Sequence, residues 1–512
     1  MGDYILAHDI GTTGDKATIF SSDGQLLCSE FTPYQTYYPK PGWAEQDPMD
    51  YWRSFCITTR NIIEKSGIKP SEIVTVSFSG QMMAALPVDA NGEPLRNCII
   101  WADLRSKDQA DIIAKRVSPE RVYEITGHRL SASYSASKIM WIRDNEPDVY
   151  KAAYKFIHPK DFLLNRLTGK FITDLSDASG MNLFDINTLR WSEEMLKATG
   201  ISVSKLPEVM EAVSICGKIG KKAAAESGLV EGMPVCVGGG DGVCATCGAG
   251  VLTEDEGYIY LGTSTWMGLA TEKPVLDPKM RTFTFCHIKK GLYFPAGTMQ
   301  SGGGSLQWFK NALCDYELDA ARKEGRDVYD ILNVKASRIQ CGSEGLIFLP
   351  YLMGERSPYW NPDARACFIG LNMRHKKEHM LRAVFEGVCF NMKLIRDSFS
   401  ELGYSPGEIR LIGGGAKSSL WRQIMADILD VPVVKLNFIE EATSVGAAMI
   451  GGLASGIFRN LKEATRFIKR EEISVPDPGR VDIYGKLFDV FKKSYNSLVE
   501  VFMNISDFQA GL

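Results

Sequence analysis

Apolar residues near the start of the chain form two short runs separated by a polar tip. The first run, YILAHDI, covers residues 4–10, and the second, KATIFSSDG, covers residues 16–24. This pattern predicts two strands joined as a hairpin. A helical stretch after Pro48 and a further strand, EIVTVSFSG, follow, and the alternation of strands with helices predicts an α/β domain.

A similar pattern returns near the middle of the chain. The segment GYIYLGTSTWMGLAT, residues 257–271, is again a strand, a tip of glycine and hydroxyl residues, and a second strand. Two such hairpins predict an internal repeat. A chain of 512 residues is long enough for two domains, which we place at residues 1–246 and 247–512.

The tips of both hairpins carry residues suited to an anion. Glycine lets backbone N–H groups approach a phosphate closely, and threonine hydroxyls add donors. Either hairpin alone is better explained as an ordinary tight turn, but the pair favours a polyphosphate held between two related domains. The residues concerned are Gly11, Thr12, Thr13 and Lys16 in the first hairpin and Gly262, Thr263 and Ser264 in the second.

A third glycine-rich segment lies at residues 408–421. The strand EIRLI runs into Gly413, Gly414 and Gly415, and a helix is predicted to begin near Ser418. Ser418 replaces the last glycine of a dinucleotide-binding motif, and the chain contains no GxxxxGK[ST] motif. We expect the three glycines to form a flat ledge for an adenine ring or a ribose, with Gly414, Gly415 and Ser418 lining the adenosine.

Charge and cysteine content narrow the class of protein. Lysine and arginine number 58 against 62 acidic residues, which argues against nucleic acid as a partner. The twelve cysteines are scattered, and the CxxC at Cys244 and Cys247 is better explained by thiols on a packed helix than by zinc or redox chemistry. No secretory signal is recognisable, and we expect a cytoplasmic protein. The uncharged stretch 442–458 is too short to cross a membrane and predicts a buried, closely packed helix.

Two longer segments resemble the signatures of one enzyme family. SYSASKIMWIRDN at residues 133–145 and ACFIGLNMRHKKEHMLRAVFEG at residues 366–387 are similar to those of the FGGY carbohydrate kinases, closest to the xylulokinase-type members. The resemblance implies an α/β fold of two actin-like (ribonuclease H-like) ATPase domains with a catalytic cleft between them. It also implies ATP- and Mg²⁺-dependent phosphorylation of a small sugar or polyol, with a ketopentose such as D-xylulose as first candidate. Other ketoses, polyols and sugar acids stay open, as do a homodimer and an actin-like ATPase without a sugar substrate.

The resemblance assigns the catalytic base to Asp241, which follows a buried strand and three glycines. The alternative for Asp241 is a helix N-cap. Asp9 is expected to hold Mg²⁺ together with Asp241, and the alternative for Asp9 is an Asx-turn that caps the hairpin. Gly304, in a glycine run at the start of a predicted helix, is expected close to the nucleotide.

The sugar-binding residues implied by the resemblance follow two strands. Those after the first strand are Gln81, Met82 and Met83, and those after the second are Trp101 and Asp103. Asp103 is equally well explained as a structural partner of Arg105. Met83 stands where xylulokinases have histidine, and a thioether cannot donate a hydrogen bond, so the resemblance does not establish the sugar. His8 is expected to be a packed strand residue.

Overall fold

The computed structural model describes residues 3–510, which form two compact units. Unit 1 contains the described residues up to Thr253, together with Ala270–Pro295 and Glu441–Lys469. Unit 2 contains Glu254–Leu269, Ala296–Glu440 and the described residues from Arg470 onward. Each unit is therefore built from separate stretches of chain, and the division into residues 1–246 and 247–512 stays a prediction.

The strands are short, as expected where strands alternate with helices. In chain order they are β1 Tyr4–Ile10, β2 Gly14–Ser21, β3 Leu26–Pro33, β4 Glu45–Gln46, β5 Ile73–Gly80, β6 Leu86–Val88, β7 Cys98–Ile99, β8 Lys155–Ile157, β9 Ile172–Asp174, β10 Phe184–Asp185, β11 Arg190–Trp191, β12 Glu208–Met210, β13 Ile215–Lys218, β14 Pro234–Cys236, β15 Gly239–Gly240, β16 Gly257–Leu261, β17 Thr265–Leu269, β18 Phe283–Cys286, β19 Tyr293–Met299, β20 Ile347–Leu349, β21 Cys367–Ile369, β22 Ile409–Ile412, β23 Val433–Leu436 and β24 Arg470–Ser474.

The α-helices are numbered in the same way. They are α1 Pro48–Ser66, α2 Lys107–Arg116, α3 Pro119–Thr126, α4 Ser135–Asn145, α5 Pro147–Ala152, α6 Pro159–Thr168, α7 Leu175–Ser179, α8 Glu193–Thr199, α9 Lys221–Ser227, α10 Asp241–Gly248, α11 Gly303–Leu313, α12 Asp315–Glu324, α13 Val328–Ser337, α14 Lys377–Glu401, α15 Ser419–Leu429, α16 Ala442–Ala454, α17 Leu461–Ala464 and α18 Pro478–Ala510. Short 3₁₀ turns add Pro70–Glu72, Val203–Lys205, Ser343–Gly345, Gly414–Lys417 and Thr465–Phe467.

The main sheet of unit 1 has the strand order β13-β14-β5-β1-β2-β3, with β15 also beside β5. β1, β5 and β15 run parallel, and their last residues are in register: Ile10 pairs with Gly80, and Gly80 pairs with Gly240. Residues that follow these strands therefore emerge at one carboxyl edge of the sheet. In open α/β sheets, ligands bind at that edge.

Unit 2 repeats this arrangement. Six strands of its sheet are neighbours in the order β24-β23-β22-β16-β17-β19. Like β1 in unit 1, β16 is antiparallel to the strand that follows it in the hairpin and parallel to its other neighbour, β22. The α/β prediction and the predicted internal repeat are confirmed.

The glycine-rich helix α16 packs tightly inside unit 1. A Cβ on Gly248 of α10 would lie 1.8 Å from the carbonyl oxygen of Ala442, and one on Gly446 of α16 would lie 1.8 Å from that of Cys244. Only glycine allows this approach, which confirms the expected closely packed helix. Cys244 and Cys247 are buried free thiols on α10. Within residues 3–510, no helix has both the length and the apolar character needed to span a membrane.

The C-terminal helix α18 packs on unit 2. Tyr484 donates a hydrogen bond of 2.8 Å to Glu386 of α14 and receives one of 3.0 Å from Arg382. The Tyr495 ring stacks on Tyr359 at 3.6 Å between centroids.

Candidate active site

Asp241 is the first residue of α10 and lies at the carboxyl edge of the unit 1 sheet. The N-cap position belongs to Gly240, although the Asp241 carboxylate does accept a 2.7 Å hydrogen bond from the N–H of Gly242. Burial, reinforced by the negative charge of nearby Asp9, raises the pKa of Asp241 to about 7. A carboxylate with this pKa is suited to accept a proton near neutral pH.

A buried polar chain supports the backbone just before Asp241. The Ser176 hydroxyl accepts a 2.9 Å hydrogen bond from the N–H of Gly240 and donates a short one to Asp174. Asp174 also caps α7 through the N–H of Ser176 at 2.7 Å. Nothing in the sequence pattern indicated this support, because Ser176 and Gly240 lie 64 residues apart.

Beneath that chain, a lysine supplies the positive charge for three buried carboxylates. Lys160 Nζ lies 2.9 Å from Asp161, 3.2 Å from Asp174 and 3.3 Å from Asp177. His158, Asp161 and Asp177 are close enough together to suggest a metal site. The ammonium group already takes the position of a cation among these oxygens, so we assign the cluster a structural role.

Asp9, in contrast, has a free ligand atom. Its Oδ1 is buried and has no hydrogen-bond partner within residues 3–510. Burial raises the pKa of Asp9, and the nearby Ser79, Thr443 and Lys16 pull it in the opposite direction. Mg²⁺ prefers oxygen ligands and takes few carboxylates, and a cation here would relieve the repulsion between Asp9 and Asp241. The donor chemistry therefore fits Mg²⁺.

At the tip of the first hairpin, the carbonyl oxygens are hydrogen-bonded and two of the backbone amides are not. The carbonyl oxygen of Gly11 accepts from Tyr34 and Gln81, that of Thr12 from Gln46 at 2.7 Å, and that of Thr13 from the N–H of Tyr34 at 3.2 Å. In the part of the chain that the structure describes, nothing accepts from the N–H groups of Thr12 and Thr13. Such unpaired amides suit a phosphate.

Charged residues flank this hairpin on both of its strands. Lys16 pairs with Asp9 in the β1–β2 register and lies 3.4 Å from Glu441. His8 is buried as expected, and its Nδ1 lies 3.0 Å from the buried Asp15 carboxylate. Its Nε2 is 3.2 Å from the Thr59 hydroxyl. Both ring nitrogens therefore have a polar neighbour, and His8 is the polar partner of the buried Asp15.

The second hairpin has the same distribution of free and bonded groups. The carbonyl oxygen of Gly262 accepts from the N–H of Gly303 at 2.7 Å, and that of Thr263 accepts from the N–H of Gly304 at 3.0 Å. No acceptor for the N–H groups of Thr263 and Ser264 occurs among residues 3–510. The start of α11 thus holds this hairpin in shape.

A cavity of about 500 Å³ lies beside this hairpin, inside unit 2. Of the residues predicted to contact the nucleotide, Gly262, Thr263, Gly414, Gly415 and Ser418 line it. Ser264 and Gly304 are not among its lining residues, and Gly303 is. Polar and aromatic lining residues that the sequence did not single out include Tyr260, Gln307, Asp327, Tyr329, Asp330, Asn333, Phe385, Lys417, Trp421 and Glu440.

The three glycines of the ledge have different reasons to be glycine. Gly413 has φ +87°, and a Cβ there would lie 2.8 Å from the carbonyl oxygen of Leu261. A Cβ on Gly415 would lie 2.4 Å from Leu261 Cγ, whereas one on Gly414 would meet nothing closer than 4.0 Å. Gly414 therefore leaves space in the cavity itself. Ser418 caps α15 and donates a 2.6 Å hydrogen bond to Asn333.

The predicted sugar-binding residues also lie in unit 1, around the carboxyl edge. Gln81 follows β5 and supports the hairpin through Gly11. Met82 packs on Gly240, where a Cβ would lie 2.5 Å from its sulfur. Trp101 donates a 3.0 Å hydrogen bond to the Thr12 hydroxyl. Asp103 is fully buried and accepts from Arg105 at 2.7 Å, which supports the structural alternative; its contact with a sugar stays a prediction.

Each half of the chain matches one domain of a known protein family. The N-terminal domain of the FGGY family of carbohydrate kinases matches residues 4–248, and the C-terminal domain of that family matches residues 257–455. The chain belongs to the FGGY family of carbohydrate kinases. It is thus a sugar kinase, and the family implies ATP as phosphoryl donor.

Relatives of two substrate classes cover nearly the whole chain. A gluconokinase of Bacillus licheniformis is 33% identical over 100% of this chain and 99% of its own. A xylulose kinase of Bacillus subtilis (strain 168) is 31% identical over 96% of both chains. Among solved structures, a gluconate kinase from Lactobacillus acidophilus superposes with a TM-score of 0.91 at 28% identity, covering 99% of this chain and all of its own. The ligand-bound xylulose kinase from the same organism reaches 0.90 at 28% identity, covering 98% of this chain and all of its own.

Proposed function

We propose that this sugar kinase transfers the γ-phosphoryl group of ATP directly to a hydroxyl group of a small sugar or polyol, with Asp241 as the general base. The observation that carries the proposal is the position of Asp241. It starts a helix at the carboxyl edge of the sheet, beside the unpaired oxygen of Asp9, and its pKa is raised to about 7. A D-xylulose-type ketopentose is the first candidate substrate, and a sugar acid such as gluconate is the second.

In the proposed step, the Asp241 carboxylate takes the proton of the acceptor hydroxyl. The hydroxyl oxygen then bonds to the γ-phosphorus while the bond to the β-phosphate oxygen breaks, and ADP leaves. Near neutral pH, a carboxylate whose pKa is about 7 accepts a proton more readily than an ordinary exposed aspartate.

The ATP groups are assigned to the residues that present free donors. We propose that the amides of Thr12 and Thr13 and those of Thr263 and Ser264 bind phosphate oxygens, and that the unit 2 cavity receives the nucleoside. Asp9 and Asp241 would hold Mg²⁺. The ion would supply positive charge to the phosphate oxygens of the nucleotide.

A coupled assay tests this proposal. ADP release is measured with MgATP against a panel of ketoses, polyols and sugar acids, and the phosphorylated product is counted separately. The proposal predicts one ADP per sugar phosphate and little ADP without a sugar. ADP release that ignores every sugar would instead support an ATPase of another kind.

Two further proposals concern setting and assembly. All twelve cysteines are free thiols, which supports the cytoplasm as the site of action. A homodimer stays a prediction.

A further inference from the structure

The predicted sugar-binding face of unit 1 has an apolar wall. A Cβ placed on Gly180 would lie 3.1 Å from Phe285 Cε1 and 3.5 Å from Met83 Cγ, so these two side chains converge over Gly180. The Phe285 ring stacks on Phe294 at 6.0 Å between centroids. Phe294 in turn reaches Gly242, where a Cβ would lie 3.1 Å from its ring. The wall therefore extends from Met83 to the residue next to Asp241.

A buried lysine fixes the start of this wall. Met83 has φ +61°, a conformation that is uncommon for residues other than glycine. Lys138 Nζ donates hydrogen bonds to the carbonyl oxygens of Met83 at 2.8 Å and of Ser133 at 2.6 Å. The Lys138 ammonium group thus holds the backbone turn at Met83, and the Met83 side chain lies next to Gly180. The Met83 side chain offers a substrate no hydrogen-bond donor.

The basic side chains around this face are already engaged. Arg105 is fully buried, with Asp103 and Glu45 each at 2.7 Å. Lys138 donates hydrogen bonds to two carbonyl oxygens. Lys160, whose Cβ packs against Gly80, is surrounded by three carboxylates, and Lys16 lies 3.4 Å from Glu441.

The histidine that packs directly on this wall adds no positive charge. His128 packs on Phe285 at 4.3 Å between centroids, and burial lowers the pKa of His128 to about 3, so its ring is uncharged. Asp9 and Asp241 are carboxylates. A carboxylate on the substrate would therefore meet apolar side chains and the like charges of Asp9 and Asp241 on this face, and none of the engaged basic groups named above is free to offset its desolvation cost.

We propose that this kinase selects a neutral ketose or polyol, whose carbon–hydrogen face packs on Met83 and Phe285, and rejects the corresponding sugar acid. This inference rests on the proposed function and decides between its two candidate substrate classes. The apolar wall and the engaged basic residues account for the discrimination between neutral and acidic substrates. Sequence identity to the relatives favours neither substrate class.

Matched pairs of compounds test the inference on the native enzyme. D-Gluconate is compared with D-glucitol, and D-xylonate with xylitol, so that each pair differs in charge at one end of a chain of constant length. D-Xylulose is added as the neutral ketose of the same length as D-xylonate. We expect kcat/KM to be at least tenfold higher for a neutral member than for its acid. An acid that equals or exceeds its neutral partners would overturn the inference.

Binding without turnover separates failure of this inference from failure of the proposed function. Calorimetric titration of the same compounds into the native enzyme is expected to show tighter binding of the neutral members. If none of them stimulates ADP release, the proposed function fails, and the titration still decides the substrate class. Tighter binding of the acids, or no binding of any neutral member, would overturn the inference.

Two substitutions at one position locate the effect. Met83→Lys places an ammonium group on the wall and is expected to raise the acid-to-neutral ratio of kcat/KM about tenfold. Met83→Leu keeps the wall apolar and is expected to leave that ratio within about twofold. Equal ratios in both variants would show that the wall does not select for charge. The melting temperature of each variant identifies one that does not fold, and the native-enzyme titration then stands alone.

Discussion

The two hairpins present the same free groups and are built by different means. In the first, side chains from elsewhere in unit 1 satisfy the tip carbonyls: Gln46 for Thr12, and Tyr34 and Gln81 for Gly11. In the second, backbone N–H groups at the start of α11 do so, through Gly303 and Gly304. The first hairpin therefore depends on particular side chains, and the second depends on glycines that let two backbones meet.

The hairpins also differ in charge. Asp9 and Lys16 flank the first tip, while the second has the stacked rings of Tyr260 and Trp266 at 4.0 Å between centroids. This difference indicates that the repeat has kept unpaired amides at the tips of both hairpins and placed the charged groups beside one of them. We infer that the first hairpin acts on the reacting phosphate and that the second holds the nucleotide.

Among the substitutions in the hairpins and the cavity, the largest effect is expected from Gly303→Ala. The tip carbonyls of the second hairpin are held by backbone N–H groups at 2.7 and 3.0 Å, with the Thr265 hydroxyl farther away at 3.4 Å. A Cβ on Gly303 would lie 2.5 Å from the carbonyl oxygen of Gly262. The backbones must separate, and such displacement costs on the order of 100-fold in kcat/KM for ATP. Steady-state kinetics measure it. Gly407→Ala, where a Cβ meets nothing within 4 Å, is the control. Unchanged kinetics in the Gly303 variant would refute the described role of α11.

An intermediate effect is expected from Gln46→Glu in the first hairpin. The fully buried amide donates to Thr12 and accepts from Tyr51 and Gln81, both at 2.7 Å. Glutamate keeps the acceptor and removes the donors, which leaves the Thr12 carbonyl with the long, 3.5 Å hydrogen bond from the Thr36 hydroxyl. The loss of a short hydrogen bond to a buried carbonyl costs about 1.4 kcal/mol, which corresponds to about a 10-fold rise in the KM for ATP.

Tyr34→Phe is the matched comparison for Gln46→Glu. It removes one of the two donors to Gly11 and leaves Thr12 satisfied, so we expect only about a threefold rise in that KM. A larger effect for Tyr34→Phe than for Gln46→Glu would reverse the assigned order of the two supports.

The smallest effect is expected from Gly414→Ala in the unit 2 cavity. The methyl group has room in the fold, so the melting temperature should not change, while the lost space should raise the KM for ATP about fivefold. Gly413→Ala is the counterpart. Its positive φ and its contact with Leu261 predict a lower melting temperature. If both variants shift the melting temperature equally, the cavity and packing roles are not separate.

Local sequence predicted the parts of the site that are contiguous. Both hairpins, the ledge at Gly414 and the helix start at Asp241 follow from glycine and hydroxyl clusters at the ends of apolar runs. Their chemical roles stay predictions that the experiments above address.

Supports that come from distant segments could not be predicted. Gln46 lies 34 residues from Thr12, and Ser176 lies 64 residues from Gly240, so only the folded chain brings them together. The glycine run before α11 drew attention to Gly304, but which of its members faces the cavity depends on the entry angle of the helix. The sequence likewise does not indicate that α16, which follows a long stretch of unit 2, belongs to unit 1. That placement depends on the close contact between α16 and α10.

The activity of Asp241→Asn as a function of pH tests the central claim most directly. The native enzyme is expected to gain about tenfold in kcat/KM per pH unit below about pH 7 and to level off above it, because Asp241 must lose its proton to act as base. Asparagine cannot accept that proton, so the variant should lose at least 100-fold in kcat and show no such rise. A variant that keeps native activity and the native pH profile would show that Asp241 is not the base.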